Sequence, residues 1–411
     1  MYIVHAGASY FPKGNAAVQR IRFTYKAIQE AGFTALIINK ESNEQGSNLK
    51  RVNRFDGIPY IFTSAALSKP SSRITNKLNK ISGVLGELKL LFKKRKKIHA
   101  VILYNTSSFS ELIYYRIISG LFGFKLVFQY VEYRSSFEKD SFLNSINDKL
   151  FDSYCSYFAD GVIVISEFLR NEIRKKNSLL PLIKIPVICD FEEFNKVAPA
   201  NPGYPYMLYC GTSDYLDVIF FTMELYEKVR DRDLYTGKLM LIIGVGASQN
   251  IHTLENNIEK SKYGKDIILY KSVPYKEIIP LYKSADLLLI PLRKTIQDIA
   301  RFPHKIGEYT ASRRPLISTA VGELKYYFKN GGSAILADEY TVDSYLNALT
   351  AALTNENNFD KMGEQGYLTG YDNFHFKSNA APVKTFLDQL CNKPKQLSES
   401  NSRLKIKYKT S

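Results

Sequence analysis

The chain has 411 residues, of which 45% are hydrophobic and 23% are charged. This composition is typical of a globular protein and excludes a wholly disordered one, and a chain of this length is expected to form two domains, or three at most. Lysine and arginine together exceed aspartate and glutamate by 16, so the expected partners are anionic: phosphorylated ligands, an acidic membrane surface or nucleic acid.

The four cysteines, Cys155, Cys189, Cys210 and Cys391, are widely spaced and form no Cys-x-x-Cys pair. This spacing excludes a disulfide framework and a cysteine-based zinc site, and it is typical of a reducing compartment. The first residues enter an apolar stretch without the charged start of a signal peptide, and no apolar run approaches the ~20 residues of a spanning helix. We therefore expect a cytoplasmic protein whose contact with a membrane, if it has one, is peripheral.

Short apolar runs alternate with amphipathic stretches through the first half of the chain. Strands are predicted at residues 2–6, 34–38, 101–104, 125–130 and 161–165, with a helix over residues 17–31 that ends at Gly32. The strands are almost continuously apolar, which indicates a parallel sheet covered by helices on both faces. The first half is therefore predicted to be a doubly wound α/β domain.

A stretch with several prolines and Gly203, residues 181–203, is typical of a linker. Beyond it the pattern resumes, with strands predicted at residues 206–209, 238–244, 266–270, 287–291, 315–319 and 334–337. The predicted fold class is α/β, with two Rossmann-like domains facing across a cleft. A ligand is expected in that cleft, beyond the carboxyl ends of the strands.

The predicted limits of the domains follow from this pattern. They are 1–188 for the first domain, 189–203 for the linker, 204–371 for the second domain, 372–391 for a helical segment that crosses back to the first domain, and 392–411 for a basic tail.

Two glycine turns follow predicted strands, and each could either contact a ligand or be an ordinary bend of the chain. Gly14 lies before the first helix, where a small residue lets a ligand approach the amides of a helix N-terminus. Gly244 ends an apolar strand in a Gly-x-Gly turn that lacks the third glycine of the dinucleotide fingerprint, so NAD or FAD binding is not favoured. Asp231 and Asp233 form an Asp-x-Asp pair, but their place after a predicted helix favours a solvated loop over a metal site.

The most informative stretch runs from residue 299 to residue 319. Pro303 is suited to the first position of a helix, and Arg301, His304 and Lys305 cluster at that positive end, where they would bind a phosphate. Glu308 follows about a turn and a half later and could accept a hydrogen bond from a ribose hydroxyl. An ordinary surface helix would explain the apolar spacing but not the basic cluster.

The sequence Pro303 to Tyr309 reads P-x-K-x-x-E-Y, is followed by small residues and Pro315-Leu-Ile, and resembles the nucleotide-sugar motif of GT-B glycosyltransferases, particularly the retaining family 4. The resemblance covers roughly residues 1–391, in the family's order. Its other segments are the Gly14 loop, residues 161–166 ending in Ser166, Pro186 to Phe194, the strand with Gly211, the strand with Gly244, residues 273–291 and Asn373 to Phe376.

This resemblance implies a GT-B fold, a nucleotide-diphosphate sugar as donor, and donor contacts at Gly14, Gly211, Gly244, His304, Lys305 and Glu308. Three departures change the expected site. Ala300 stands where relatives commonly have a second glutamate, and Ser213, Asp214 and Asp217 stand where they have arginine and lysine. The histidine that relatives often have near the acceptor in the first domain has no counterpart. We therefore expect Arg301 and Lys305 to bind the diphosphate, and Glu132 to occupy the strand end near the acceptor. The expected catalytic residues are Arg301, Lys305 and Glu132.

A basic helix is predicted in the first domain, from Gly86 to Lys97. A membrane-bound acceptor such as a polyprenyl-linked sugar would explain its mixture of lysines, from Lys89 to Lys97, and apolar residues. A solvated helix end explains it equally well.

The leading hypothesis is a glycosyltransferase of the hexosyltransferase type. It would move a sugar from a nucleotide-diphosphate sugar to a carbohydrate or lipid-linked acceptor, in surface polysaccharide or glycan synthesis, with retention implied by the family. No metal and no other cofactor is expected. The alternatives are a nucleotide-sugar epimerase on the same fold and a non-enzymatic polyanion-binding protein; nucleic acid is not favoured, because no recognition module is found.

Overall fold

The computed structural model describes residues 1–7, 10–14, 16–41, 50–68, 70–104, 108–137, 141–244, 246–353 and 359–392. Apart from Asn392, the predicted basic tail lies outside these residues. The described chain forms two sheets, each covered by helices on both faces, and every neighbouring strand pair is parallel except one edge hairpin. This is the predicted α/β class. Among the described residues, no helix has both the length and the apolar content needed to span a membrane.

The first sheet has eight strands in the order β3-β4-β2-β1-β5-β6-β7-β8. They are β1 (Tyr2–Ala6), β2 (Thr34–Asn39), β3 (Val52–Phe55), β4 (Ile58–Phe62), β5 (Ile98–Leu103), β6 (Lys125–Tyr130), β7 (Gly161–Val164) and β8 (Leu182–Lys184).

The second sheet has six strands in the order β11-β10-β9-β12-β13-β14. They are β9 (Tyr206–Thr212), β10 (Lys238–Gly244), β11 (Ile267–Lys271), β12 (Leu287–Leu289), β13 (Leu316–Thr319) and β14 (Ile335–Ala337).

Fifteen α-helices are found in the described chain. They are α1 (Ala16–Glu30), α2 (Arg73–Lys94), α3 (Phe109–Phe122), α4 (Phe142–Tyr154), α5 (Glu167–Lys176), α6 (Phe191–Asn195), α7 (Leu216–Asp231), α8 (Ser248–Lys260), α9 (Tyr275–Ser284), α10 (Ile296–Ala300), α11 (Lys305–Ala311), α12 (Leu324–Tyr327), α13 (Val342–Leu353), α14 (Phe359–Phe374) and α15 (Ala380–Asn392).

The strands of the first sheet are apolar on both faces because each face is covered. Ile3 points into the cluster formed with α1 and α15, whereas Val4 points into the cluster formed with α2, α3, α4 and α5. Successive residues of a strand point to opposite faces, so a strand buried on both sides needs apolar residues throughout. This explains why β1 and β6 match their predicted bounds.

The β3–β4 hairpin at the edge of the first sheet is absent from the sequence predictions. Val52 to Phe55 are mostly exposed, so β3 has no continuous apolar run. Its signal is the turn, since Asp56 and Gly57 both adopt positive φ, at 49° and 78°. An Asp-Gly turn of this kind joins antiparallel strands closely.

Two crossings connect the sheets and lie side by side. The outgoing chain leaves β8 and contains α6, so part of the predicted linker is helical. The returning chain ends α14 and begins α15, which packs on α1 and β8. The crossings are bonded to each other, because the Cys189 amide donates to Phe374 (2.8 Å) and the Phe376 amide donates to Cys189 (3.1 Å). The exact domain limits stay a prediction.

The carboxyl edge of the first sheet also contacts the second domain directly. Ser166, at the start of α5, donates to the Ala300 carbonyl (2.5 Å). The buried carboxylate of Glu323 accepts from the Glu167 amide (2.6 Å) and from Lys184 (3.0 Å). These bonds hold the carboxyl ends of the two sheets toward each other.

Two glycines within helices allow a test of how closely α2 approaches the first sheet. A Cβ on Gly83 of α2 would lie 2.1 Å from the Lys40 carbonyl oxygen, whereas a Cβ on Gly120 of α3 would meet nothing within 4 Å. We expect Gly83→Ala to lower the free energy of unfolding by roughly 1–3 kcal/mol through overpacking. Gly120→Ala should raise it by about 0.5–1 kcal/mol, since alanine favours an exposed helix interior. Urea unfolding of both variants measures this, and equal effects would contradict the close packing of α2.

Candidate functional site

The residues of the P-x-K-x-x-E-Y motif lie where the carboxyl end of the second sheet meets the first domain. The helical turn begins at Pro303, whose carbonyl accepts from the Ile306 amide (3.1 Å), and α11 itself begins at Lys305. Gly307 packs against the crossing from the first domain, because a Cβ there would lie 2.6 Å from Val187. A glycine is therefore needed where α11 approaches that segment.

Glu308 is a buried carboxyl group, 6% exposed, on the first turn of α11. Burial raises its pKa to about 7, against the lowering effects of the Lys305 charge and a hydrogen bond from Tyr282. The predicted ribose acceptor is thus poised between its protonated and ionised forms near neutral pH. A bound polar ligand that donates a hydrogen bond to the carboxylate would favour the ionised form.

His304 is not the cation expected from the sequence. Its side chain is 9% exposed, and burial lowers its pKa to about 3, with the charges of Arg20 and Lys305 as smaller causes. The ring stacks on Phe23 of α1, with centroids 6.1 Å apart. Its Nε2 atom is buried, lies 3.5 Å from a carboxylate oxygen of Glu308 and makes no hydrogen bond within the described chain. The neutral imidazole therefore has one nitrogen available for a hydrogen bond at the junction of the domains.

Arg301 lies in the extended segment between α10 and α11. Its guanidinium pairs with Asp298 (2.5 Å) and donates to the Tyr215 hydroxyl (2.8 Å). A cation near the positive end of a helix is unfavourable, and here the Asp298 carboxylate compensates the charge of Arg301. Its Nε atom is buried and has no partner within the described chain.

Asp298 organises the cations of this segment. Its side chain is fully buried and also pairs with Arg293 (2.8 Å), which in turn pairs with Asp217 (2.7 Å). Sequence reasoning missed this group. The sequence did contain a signal for it: Asp298 and Arg301 are three residues apart, and side chains at this spacing meet on one face of a helical turn.

Lys305 is half-buried, and its ammonium forms no hydrogen bond or ion pair with any residue that the structure describes. It acts electrostatically on Glu308, His304 and Cys210. Of the two predicted phosphate-binding cations, Lys305 is therefore the one whose charge is not already paired.

The predicted glycines fall on both domains. Gly211 and Gly244 lie at the carboxyl ends of the neighbouring strands β9 and β10, and the amide of Gly246 donates to Ser213 (2.9 Å). Gly14 precedes α1 in the first domain, where a Cβ would lie 2.5 Å from Val18. The structure thus brings Gly211 and Gly244 to the sheet edge that carries Arg301 and Lys305, whereas Gly14 belongs to the other sheet.

Glu132 follows β6 in the first domain and acts electrostatically on Tyr104, which follows β5. Tyr104 is coupled to Arg20, a buried residue of α1 that donates to Gln129 (3.0 Å) and to the Pro186 carbonyl (2.7 Å). Arg20 also acts on His304. Glu132, Tyr104, Arg20 and His304 are therefore close enough to influence one another electrostatically, and Arg20 is the residue of this set that the sequence analysis missed.

The pKa of Glu308 gives a test of its burial. The pKa of the Glu308 carboxyl group is about 7 in the folded protein, against 4.5 for the unfolded chain. Between these two pH values the native protein keeps the proton and the unfolded chain loses it. The free energy of unfolding therefore falls as the pH rises from 4.5 through 7. Glu308→Gln should remove this loss of stability, which amounts to roughly 3 kcal/mol because each unit of pKa difference corresponds to about 1.4 kcal/mol. Urea unfolding at pH 5 and pH 8 measures it, with the exposed Glu259→Gln as control; equal pH slopes in the wild type and Glu308→Gln would show that Glu308 is solvated.

Comparisons with known proteins agree with this geometry. Residues 190–369 match the family model described as glycosyl transferases group 1. No curated protein sequence matches the chain.

Several solved structures share the whole fold. Sucrose-phosphate synthase from Thermosynechococcus elongatus superimposes with a TM-score of 0.72 at 15% identity, covering 95% of this chain and 98% of that one. HepE from Anabaena, in complex with UDP-glucose, gives 0.67 at 12% identity, covering 95% and 100%. The catalytic domain of starch synthase IV from Arabidopsis thaliana, bound to ADP and acarbose, gives 0.67 at 12% identity, covering 95% and 99%. The chain therefore has the GT-B fold and is a glycosyltransferase, with a glycosyl transferases group 1 domain at residues 190–369.

Proposed function

We propose that this enzyme transfers a sugar from a nucleotide-diphosphate sugar to a carbohydrate or lipid-linked acceptor in surface polysaccharide or glycan biosynthesis. The observation that carries the proposal is the pair formed by Lys305 and Glu308. An ammonium without a fixed counter-ion lies on the same turn as a buried carboxyl group, at the carboxyl edge of the second sheet. This pair suits a ligand with both an anionic group and hydroxyl groups, as a nucleotide sugar has.

Lys305 would bind the diphosphate and Glu308 the ribose. The ribose hydroxyls would donate to the carboxylate and favour its ionised form, so binding of the donor would release a proton from Glu308 at neutral pH. HepE and starch synthase IV were solved with UDP-glucose and with ADP, respectively, which supports a nucleotide ligand for the same fold.

Arg301 would supply the second positive charge on the departing diphosphate. Asp298 and Tyr215 fix its guanidinium, and the buried Nε would find its partner in a phosphate oxygen. Side-chain cations placed in advance stabilise a leaving group without reorganising during the reaction. The proposal assigns this task to Arg301 and Lys305, with no metal and no other cofactor.

Gly211, Gly244 and Gly14 would let the ligand approach the backbone from both sides of the cleft. The unpartnered Nε2 of His304 would hydrogen-bond the donor as a neutral imidazole. Glu132 would act on the acceptor side, across the cleft from Lys305. We further propose that the anomeric configuration is retained, on the resemblance of Pro303 to Tyr309 to the retaining family.

A lipid-linked acceptor would require contact with a membrane. Lys89, Lys93, Lys96 and Lys97 are exposed and would meet anionic headgroups, each worth ~1 kcal/mol near the surface. We propose that the enzyme works as a peripheral protein on the cytoplasmic side of a membrane.

Variants of the donor site test these assignments by calorimetry with a nucleoside, its diphosphate and its nucleotide sugar, for a panel of bases. Lys305→Ala should weaken binding of the diphosphate and the nucleotide sugar roughly tenfold to a hundredfold, the loss of one charge-assisted bond, and spare the nucleoside. Glu308→Gln should weaken all three ligands. Lys294→Ala, which removes an exposed lysine paired with Glu339, is the control. Wild-type affinity of Lys305→Ala for the diphosphate would place the donor elsewhere.

Product analysis tests the reaction. NMR of the newly formed linkage should show the anomeric configuration of the donor, and nucleotide release should require an acceptor beyond a slow background. An inverted linkage would overturn retention while leaving the transferase activity in place. Conversion of the donor into its 2-epimer without an acceptor would instead identify an epimerase.

A further inference from the structure

Two helices of the first domain expose rows of apolar side chains. On α2 these are Ile74, Leu78, Ile81, Leu85 and Phe92, each at least 51% exposed. On α4, Phe142 and Leu143 are 78% and 74% exposed, and Ile146 and Leu150 are also exposed. Scattered exposed apolar residues are ordinary, but regular rows of them mark an interaction surface.

The spacing places the residues of α2 in one row. Ile74, Leu78, Ile81 and Leu85 are separated by four, three and four residues, the repeat of a single helix face. Lys77 and Lys89 lie at the margins of this row. An apolar row bordered by lysines is the pattern of a helix that lies in the headgroup layer of a membrane.

The row lies at the end of α2 that is nearer the cleft. Gly83 and Gly86 approach the Lys40 and Thr63 carbonyls, which directly follow the carboxyl ends of β2 and β4, whereas Lys94 lies over the ring of Tyr2 at the amino end of β1. Residues 73–82 therefore extend beyond the strand ends, toward the side on which Ser166 contacts Ala300.

The exposed residues of α4 have an equivalent position. Asp152 and Asp148 of α4 accept from Ser135 and Arg134, which follow the carboxyl end of β6. Phe142 to Ile146 precede these aspartates and so extend in the same direction. Helix α3 lies between α2 and α4, on the same face of the sheet, and exposes Ile117 and Leu121.

The positive charge of α2 indicates which partner this surface binds. From Arg73 to Lys97 the sequence has nine basic residues and one acidic residue, Glu87, and Glu87 is buried. Two copies of the chain meeting through such a surface would repel each other, whereas anionic lipid would be attracted.

We propose that Ile74, Leu78, Ile81 and Leu85 of α2 and Phe142, Leu143 and Ile146 of α4, together the insertion surface, enter the interfacial layer of an anionic membrane. The insertion surface deepens the membrane contact of the proposed function: it puts the lipid contact at the cleft end of α2, in addition to the lysines at its other end. A lipid-linked acceptor held at that membrane would reach the cleft without leaving the bilayer.

The chain has no tryptophan, so a single introduced tryptophan reports on one position. Leu78→Trp and Leu143→Trp should each show a blue-shifted emission when vesicles of phosphatidylcholine and phosphatidylglycerol are added, and should be quenched by brominated lipid. Leu179→Trp, at an exposed site outside the surface, is the matched control and should respond to neither. Vesicle binding with the emission of Leu78→Trp and Leu143→Trp unchanged would overturn the proposal.

Vesicle flotation separates the apolar contribution from the charges. The double variant Leu78→Ser with Leu85→Ser should lower binding to the mixed vesicles at least about tenfold, because two apolar side chains no longer enter the interface. Lys93→Gln with Lys96→Gln should make binding weaker and less sensitive to salt. The insertion surface would be overturned if the serine variant bound vesicles as strongly as the wild type. It would also be overturned if the tryptophan emission shifted to the blue with protein concentration in the absence of vesicles, because that would indicate self-association.

Donor turnover keeps this test independent of the proposed function. Nucleotide release from a soluble donor with a soluble acceptor should be the same for the wild type and the serine variant. Loss of vesicle binding with retained turnover supports the insertion surface, whereas absence of turnover in the wild type counts against the proposed function alone.

Discussion

The position of the cleft depends on one buried carboxylate of the second domain, Glu323, that is held by groups of the first. Its side chain is 1% exposed, and it accepts from the Glu167 amide and from Lys184. A buried charge deprived of its partners costs roughly 3–5 kcal/mol, so the junction strongly favours the arrangement in which the carboxyl ends of the two sheets face each other. The bond from Ser166 to the Ala300 carbonyl acts in the same direction. Since Ala300 directly precedes Arg301, the contact that joins the domains also holds the chain that carries the cations of the site.

The acidic residues that stand after Gly211, where cations were expected, are compensated by arginines from another segment at the same sheet edge. Asp217 would repel a diphosphate, but Arg293 pairs with it at 2.7 Å and with the buried Asp298 at 2.8 Å. Asp298 also holds Arg301, whose guanidinium lies over the ring of Tyr215. Positive charge is therefore present at this edge of the second sheet, but it comes from the segment before α11 instead of the segment after β9. Acidic residues on one side and arginines on the other compensate each other.

Much of the fold could be predicted from the sequence because its strands are buried on both faces. The continuous apolar runs of β1, β6 and β10 gave their exact bounds, whereas the exposed β3 has no such run and was missed. In the site, the motif from Pro303 to Tyr309 identified Lys305 and Glu308 as neighbours on one turn. The state of His304 could not be predicted, since its neutrality depends on burial against Phe23, a residue of the other domain. The pair formed by Arg293 and Asp217 was missed for a similar reason, because these two residues are far apart in the chain.

The charge excess that first pointed to an anionic partner is distributed unevenly, and its distribution separates the two anions that the enzyme is proposed to meet. The segment from Arg73 to Lys97 has nine basic residues and one acidic residue, which is half of the excess of 16 carried by all 411 residues. At the proposed donor site, by contrast, Arg293 and Arg301 are neutralised by aspartates, and Lys305 has no paired carboxylate among the described residues. A nucleotide sugar needs few, precisely placed cations, whereas an anionic bilayer attracts many mobile ones. The net charge of the chain therefore comes more from the segment between Arg73 and Lys97 than from the proposed donor site, and composition alone could not have distinguished the two.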